Sequence, residues 1–247
     1  MYKRQFIDSA TLRENVVALA RNVGYIPSSR RASTANISFT VDLGSGTTKS
    51  SVTLKAGLVA LGDFANTNYT FCTSDDITSP VTDGFAEFTI DIKQGTFVTN
   101  EFVVDTSQPN QKFIIPNPYV DTSTLKVQVR DTLTSSSRKT YSQIDNIVGI
   151  STHSETFLIQ EIQDEKYELL FGDGVLGKRL SNGNVINSTY IVTDGVGGNG
   201  VSNFSFSGKL VDNDGGLITS GISDVITNER SSNCLLYTSD AADDVRS

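Results

Sequence analysis

Near the start of the chain, apolar residues recur every three or four positions: Leu12, Val16, Leu19 and Val23 fall on one face of a helix. Thr11 and Glu14 fit a capping box at its start, Gly24 supplies a left-handed stop, and Pro27 blocks continuation. A stripe of this kind must cover something apolar, so the four residues form a candidate interaction face. After Ser33 the period drops to two. Ile37, Phe39, Val41 and Leu43 alternate with Asn36, Ser38, Thr40 and Asp42. The same alternation recurs in Phe88, Ile90 and Ile92, and again in Leu125, Val127 and Val129, predicting half-buried antiparallel strands.

Turn signals separate these runs at Gly44-Ser45-Gly46, Asp83-Gly84 and Ile115-Pro116-Asn117-Pro118. Strand patterning lapses over Thr106 to Asn110 and resumes at Phe113, which places a boundary between two β units there. The expected organisation is an N-terminal helix and turn at 6–32, a first β unit at 33–106, a second at 107–210, and the start of a further region at 211–233. The fold class expected is mainly β, with antiparallel sheet or sandwich units and one N-terminal amphipathic helix. No internal repeat is visible.

Both ends call for separate treatment. Met1 to Gln5 and Cys234 to Asp243 resemble the two strands of a translated sequencing-library adapter, so 1–5 and 234–247 are expected to be foreign and 6–233 to be an internal piece of a longer protein. The formal net charge of -8 does not depend on them, because Lys3, Arg4 and Arg246 balance Asp240, Asp243 and Asp244. An acidic chain argues against binding the nucleic-acid backbone, which needs clustered Lys and Arg. The pairs Arg30-Arg31 and Arg138-Lys139 are too small to reverse that and read as solvated loop charges. Without Cys234, Cys72 is alone, which excludes an intrachain disulfide and a thiolate metal cluster. No apolar run is long enough to cross a bilayer as a helix.

Two glycine patterns raise the question of a nucleotide. Gly172, Gly177 and Lys178 in FGDGVLGKR fill all but the last slot of a phosphate-binding loop, where Arg179 replaces the hydroxyl residue. Gly195, Gly197 and Gly200 in GVGGNG match the dinucleotide fingerprint. Either site needs a helix next, to aim amides at the anion. After the first comes Asn182-Gly183, a hairpin signal, and then the strand-like Val185 to Val192. After the second, Val201 to Phe206 alternates like a strand. Gly172, Asp173, Gly174, Gly177, Asn182, Gly183, Gly195 and Gly200 therefore read as structural turns that shape hairpins.

The run from Tyr167 to Gly200, YELLFGDGVLGKRLSNGNVINSTYIVTDGVGGNG, resembles the signature segment of baseplate wedge proteins of contractile-tailed bacteriophages, the baseplate J-like group. SATLRENVVALARNVGYIPSSRRAS, IIPNPYVDTSTLKVQV and SETFLIQEIQDEKYELLFGDG resemble other parts of the same family, in the same order. The resemblance implies a virion protein of the phage tail baseplate that associates with itself and with other wedge proteins around the tail hub. It also implies a C-terminal region whose first helix would begin at Asp224 to Arg230.

The residues themselves point to no chemistry. His153 is the sole histidine and sits in a polar run, where a solvated side chain is expected. Asp212-Asn213-Asp214-Gly215 fits a calcium loop badly, since Leu210 and Gly221 fall at ligand positions, and reads as a turn. Glu155, Glu161, Asp164, Glu165 and Glu168 could supply a carboxylate pair for glycoside cleavage, but read better as acidic residues on wet strand faces. The expectation is a non-enzymatic assembly protein made in the host cytoplasm, with no cofactor, metal, nucleic acid, membrane or small-molecule substrate. The alternative is a receptor- or glycan-binding β module, for which Tyr119 and Tyr141 would be the exposed aromatics; a tail-associated glycosidase ranks third.

Overall fold

A computed structural model describes residues 29–233, apart from 109 and 145–148. The amphipathic face at Leu12, Val16, Leu19 and Val23 and both adapter-like ends lie outside the described residues. In chain order the strands are β1 (Thr34–Asp42), β2 (Ser51–Leu54), β3 (Gly57–Phe64), β4 (Thr67–Thr73), β5 (Ile77–Thr82), β6 (Phe85–Gln94), β7 (Thr96–Val103), β8 (Phe113–Ile115) and β9 (Val120–Arg130). They continue as β10 (Lys139–Gln143), β11 (Thr156–Glu161), β12 (Tyr167–Phe171), β13 (Val185–Val192), β14 (Asn203–Phe206), β15 (Leu210–Asp212), β16 (Leu217–Ile218) and β17 (Ile226–Ser232). The described chain is mainly β, in sheets that are antiparallel except where β10 meets β11.

The chain forms two compact units, one built from 31–96 together with 194–233 and the other from the continuous stretch 97–193 with the preceding 29–30. The division expected at 106–107 and 210–211 thus falls instead at 96–97 and 193–194. The polar stretch around Thr106 is a loop within the continuous unit: the Asp105 amide donates to Gln111 Oε1 at 2.8 Å, and Gln111 Nε2 returns a bond to Val103 O at 2.8 Å. Loss of strand patterning marks such a loop as readily as a linker.

In the discontinuous unit the ten-stranded sheet runs β14-β3-β4-β6-β5-β2-β15-β16, with β1 pairing β6 and β17. β1 and β6 align from Thr34 opposite Lys93 to Asp42 opposite Phe85. Their alternation buries Ile37, Phe39, Val41, Phe88, Ile90 and Ile92 together with Leu54, Phe71 and Phe204. Phe39 stacks on Phe88 with ring centroids 4.9 Å apart, a cross-strand pair of the kind that fixes register. Gly200 donates to Ser231 O at 2.7 Å and Ser231 donates to Val201 O at 2.9 Å, tying β17 to the approach to β14.

β17 corrects one expectation, since Asp224 to Arg230 does not begin a helix. Ile226, Thr227 and Ser232 carry little helical preference, and the segment gains an edge to pair with: Asn36 faces Glu229 and Ile37 faces Thr227. Asn228 Nδ2 donates to Asn36 Oδ1 and Ser38 Oγ, at 2.8 and 2.6 Å, on the wet face.

In the continuous unit the seven-stranded sheet runs β7-β13-β9-β10-β11-β12-β8. Val127, Val129, Phe157, Leu169, Ile186 and Tyr190 form its core. Phe102 of β7 and Phe113 of β8 meet edge to face at 5.8 Å, so the two end strands contribute to the same core. β12 lies between β11 and β8, whereas β13 lies between β9 and β7. The segment 172–184 therefore joins strands that do not pair. This overturns the expected hairpins there: the turns exist, but their flanking strands part company.

Candidate functional site

The FGDGVLGKR loop begins where β12 ends. Tyr167, Leu169 and Phe171 alternate toward the core, and Phe171 is wedged among Phe113, Tyr141 and Phe157. Past that anchor the chain turns sharply. Asp173 Oδ1 accepts the amides of Val175 and Leu176 at 2.8 and 2.9 Å, Gly174 donates to Gly177 O at 3.1 Å, and Gly172 bridges to Arg179. Gly177 donates to Ser151 O at 3.1 Å and Lys178 to Ser154 O at 2.9 Å. Every amide from Gly174 to Lys178 is thus engaged within the protein. Gly172 is required by proximity, since a Cβ there would fall under 3.0 Å from the backbone of Gly177.

Electrostatics follow the same geometry. Lys178 Nζ lies 2.7 Å from Glu155 Oε1, and that hydrogen bond raises the lysine's pKa above its ordinary value. The amides of Leu176 and Val175 hold the Asp173 carboxyl below the usual carboxylate range. A phosphate-binding loop leaves its amides and its lysine open to the anion. Here the amides are turned inward and the lysine is paired. What the loop does present is apolar: Val175 is 71% exposed and Leu176 45% exposed at its tip.

Asn182 and Gly183 form a second turn, with Gly183 at φ 81°. Gly183 donates to Val104 O at 2.8 Å, and Asn182 Oδ1 accepts the Thr106 amide at 3.0 Å. This turn secures the start of β13 to the loop after β7.

Gly195 and Gly200 stand in the other unit, so the two glycine motifs belong to different bodies. Gly195–Gly198 forms a single 3-10 turn, and β14 follows rather than a long helix. Gln94 brackets Asp194, donating from Nε2 to its carboxylate at 2.9 Å and accepting its amide at 3.1 Å. Ser231 Oγ donates to Gly198 O at 2.6 Å and accepts the Val201 amide at 2.8 Å. Gly200, at φ 92°, packs against the Phe64 ring. The motif is a packed elbow.

Other candidate chemistry disperses. His153 is exposed and its Nδ1 lies 2.9 Å from Thr152 Oγ1. Glu155 is paired with Lys178, and Glu165 lies 3.9 Å from Arg30. In the β11–β12 register Glu161 faces Tyr167 while Gln160 faces Glu168, which puts Glu161 and Glu168 on opposite faces of the sheet. Glu168 is 9% exposed, 3.8 Å from Lys112, so it does not sit on a wet face as expected. The turn at Asp212 to Gly216 holds an ammonium: Lys49 Nζ lies 2.8 Å from Asp212 and 2.6 Å from Asp214. Tyr141 is buried, with its pKa raised by that burial. Tyr119 is 44% exposed but lies beneath the Arg30 guanidinium, 4.0 Å from the ring centroid.

Sequence patterns alone did not reveal Ser231, Lys49 or Arg30, whose partners lie far away along the chain. Arg30 reads in the sequence as a solvated loop charge, and its stacking on Tyr119 corrects that reading. No family model matches the chain, and no curated protein matches it.

Proposed function

We propose that the chain is a structural piece of a phage tail baseplate wedge, a non-enzymatic virion protein that works by binding further copies of itself and other wedge proteins. The observation that carries this proposal is the braced loop near the start of the family-like segment. Its amides are engaged internally, its lysine is paired, and two apolar side chains stand out at its tip. Apolar groups held rigidly in solvent suit a contact with another protein, because little ordering cost remains when they are buried. The mainly antiparallel fold, with a separate core in each unit, is consistent with a scaffold.

A glycan-binding role would call for open aromatic faces. Tyr141 is buried and Tyr119 is a lone ring with one face taken by Arg30, so the two offer no cluster of open aromatic faces. Co-expression of the full-length gene with neighbouring tail genes tests the proposal, with native mass spectrometry as the readout. Hetero-oligomers that are weakened by Val175→Asp with Leu176→Asp, in a protein whose thermal midpoint is unchanged, are expected. A stable monomer in every combination would refute the assignment.

A further inference from the structure

We infer that Ser29 and Arg30 form a releasable strap across one rim of the continuous unit, a conformational device that is independent of the wedge proposal. Ser29 Oγ accepts the Thr122 amide at 2.9 Å and lies 2.8 Å from the Thr122 hydroxyl. Arg30 then spreads its guanidinium over the Tyr119 ring at 4.0 Å and reaches Glu165 at 3.9 Å. Two residues thus grip two separate places, the start of β9 and the loop between β11 and β12.

Both gripping points carry backbone strain. Tyr119 has φ 62°, Asp164 φ 61° and Glu165 φ 56°, a left-handed conformation that is costly for side-chain-bearing residues and most of all for an aromatic one. Such a conformation persists when the surroundings over-determine it, and here Thr193 helps by donating to Tyr119 O at 3.1 Å. Of the two fastenings, Ser29 is buried, at 8% exposed, whereas the outer one stands at the rim: Arg30 and Glu165 are 43% and 35% exposed, so water and salt screen their attraction. A weak, screened outer contact set over strained backbone, with a single serine hydroxyl as the inner catch, marks a segment that opens locally while the sheet beneath stays folded. The Thr122 amide reports the event directly, because its partner is the strap's own Ser29 hydroxyl, whereas Val127 lies in the β9 core.

Amide hydrogen exchange of the full chain tests this with Arg30→Met, which keeps the apolar stem and loses the charge, and with Arg30→Lys. Exchange at Thr122 is expected to quicken about five- to tenfold in Arg30→Met, the factor matching loss of one exposed cation–π contact and one screened ion pair. Val127 and the thermal midpoint should stay unchanged, and Arg30→Lys should recover part of the protection. Unchanged exchange at Thr122 would overturn the strap, and so would a parallel rise at Thr122 and Val127, which would make the contact part of the cooperative core.

Discussion

A Cβ at Gly172 would overlap the Gly177 backbone, whereas one at Gly183 would meet nothing within 4 Å and only strain the backbone at φ 81°. The two glycines look alike in the sequence yet are needed for different reasons. Gly172→Ala is expected to cost about 2–3 kcal/mol, because backbone cannot move aside as a flexible side chain can. Gly183→Ala should cost about 1 kcal/mol, the left-handed penalty partly offset by a less flexible unfolded chain. Urea unfolding of the two variants measures the difference. Asp173 adds a pH dependence. Its folded pKa is depressed by the Leu176 and Val175 amides, so its contribution is present above the ordinary carboxylate pKa and is lost as pH falls through the folded value. Stability of Asp173→Asn relative to the parent, followed from pH 7 down to acid, should therefore converge at low pH; a constant gap would contradict the capping role. The need for glycine was legible at both positions, because turn chemistry is local. Which glycine is sterically irreplaceable was not, because that depends on a residue five positions on and on a loop anchored at Ser151.

At the scale of elements, strands with strict alternation were legible. β1, β6 and β9 stand where Ile37 to Val41, Phe88 to Ile92 and Leu125 to Val129 placed them, since a half-buried face imposes period two. β17 was not legible. ITNERSS lacks an apolar alternation, and its strand state comes from β1 offering an edge and from Ser231 bonding Gly198 O and Val201 N. Ser231→Ala leaves both of those buried groups without that partner and should cost about 1–3 kcal/mol. Hydrogen exchange should quicken first along β17 and the β1 edge that faces it. Uniform loss of protection would instead make Ser231 part of the general core. The same distinction explains the missing hairpins: turn residues specify that the chain bends, whereas the partners of β12 and β13 are set by sheet order.

For the whole molecule, each unit closes around its own core, and the continuous one spans 97–193 in a single stretch. The isolated 97–193 segment should therefore fold cooperatively, with dispersed amide resonances and a single thermal transition; a molten, dye-binding product would show that its core is incomplete. The boundary at 96–97 was hidden from the sequence because β6 and β7 are separated only by Gly95, while the loop near Thr106 imitates a linker. The acidic balance of -8 and the engaged amides of the FGDGVLGKR loop both disfavour a bound phosphate. This loop is architecture presenting an apolar tip. The most direct measurement is a titration of the labelled protein with magnesium–ATP and with inorganic phosphate, following the amide resonances of Gly174 to Lys178. No saturable shift is expected at any of the five; a saturable shift centred on them, with Lys178 released from Glu155, would make the loop an anion site instead.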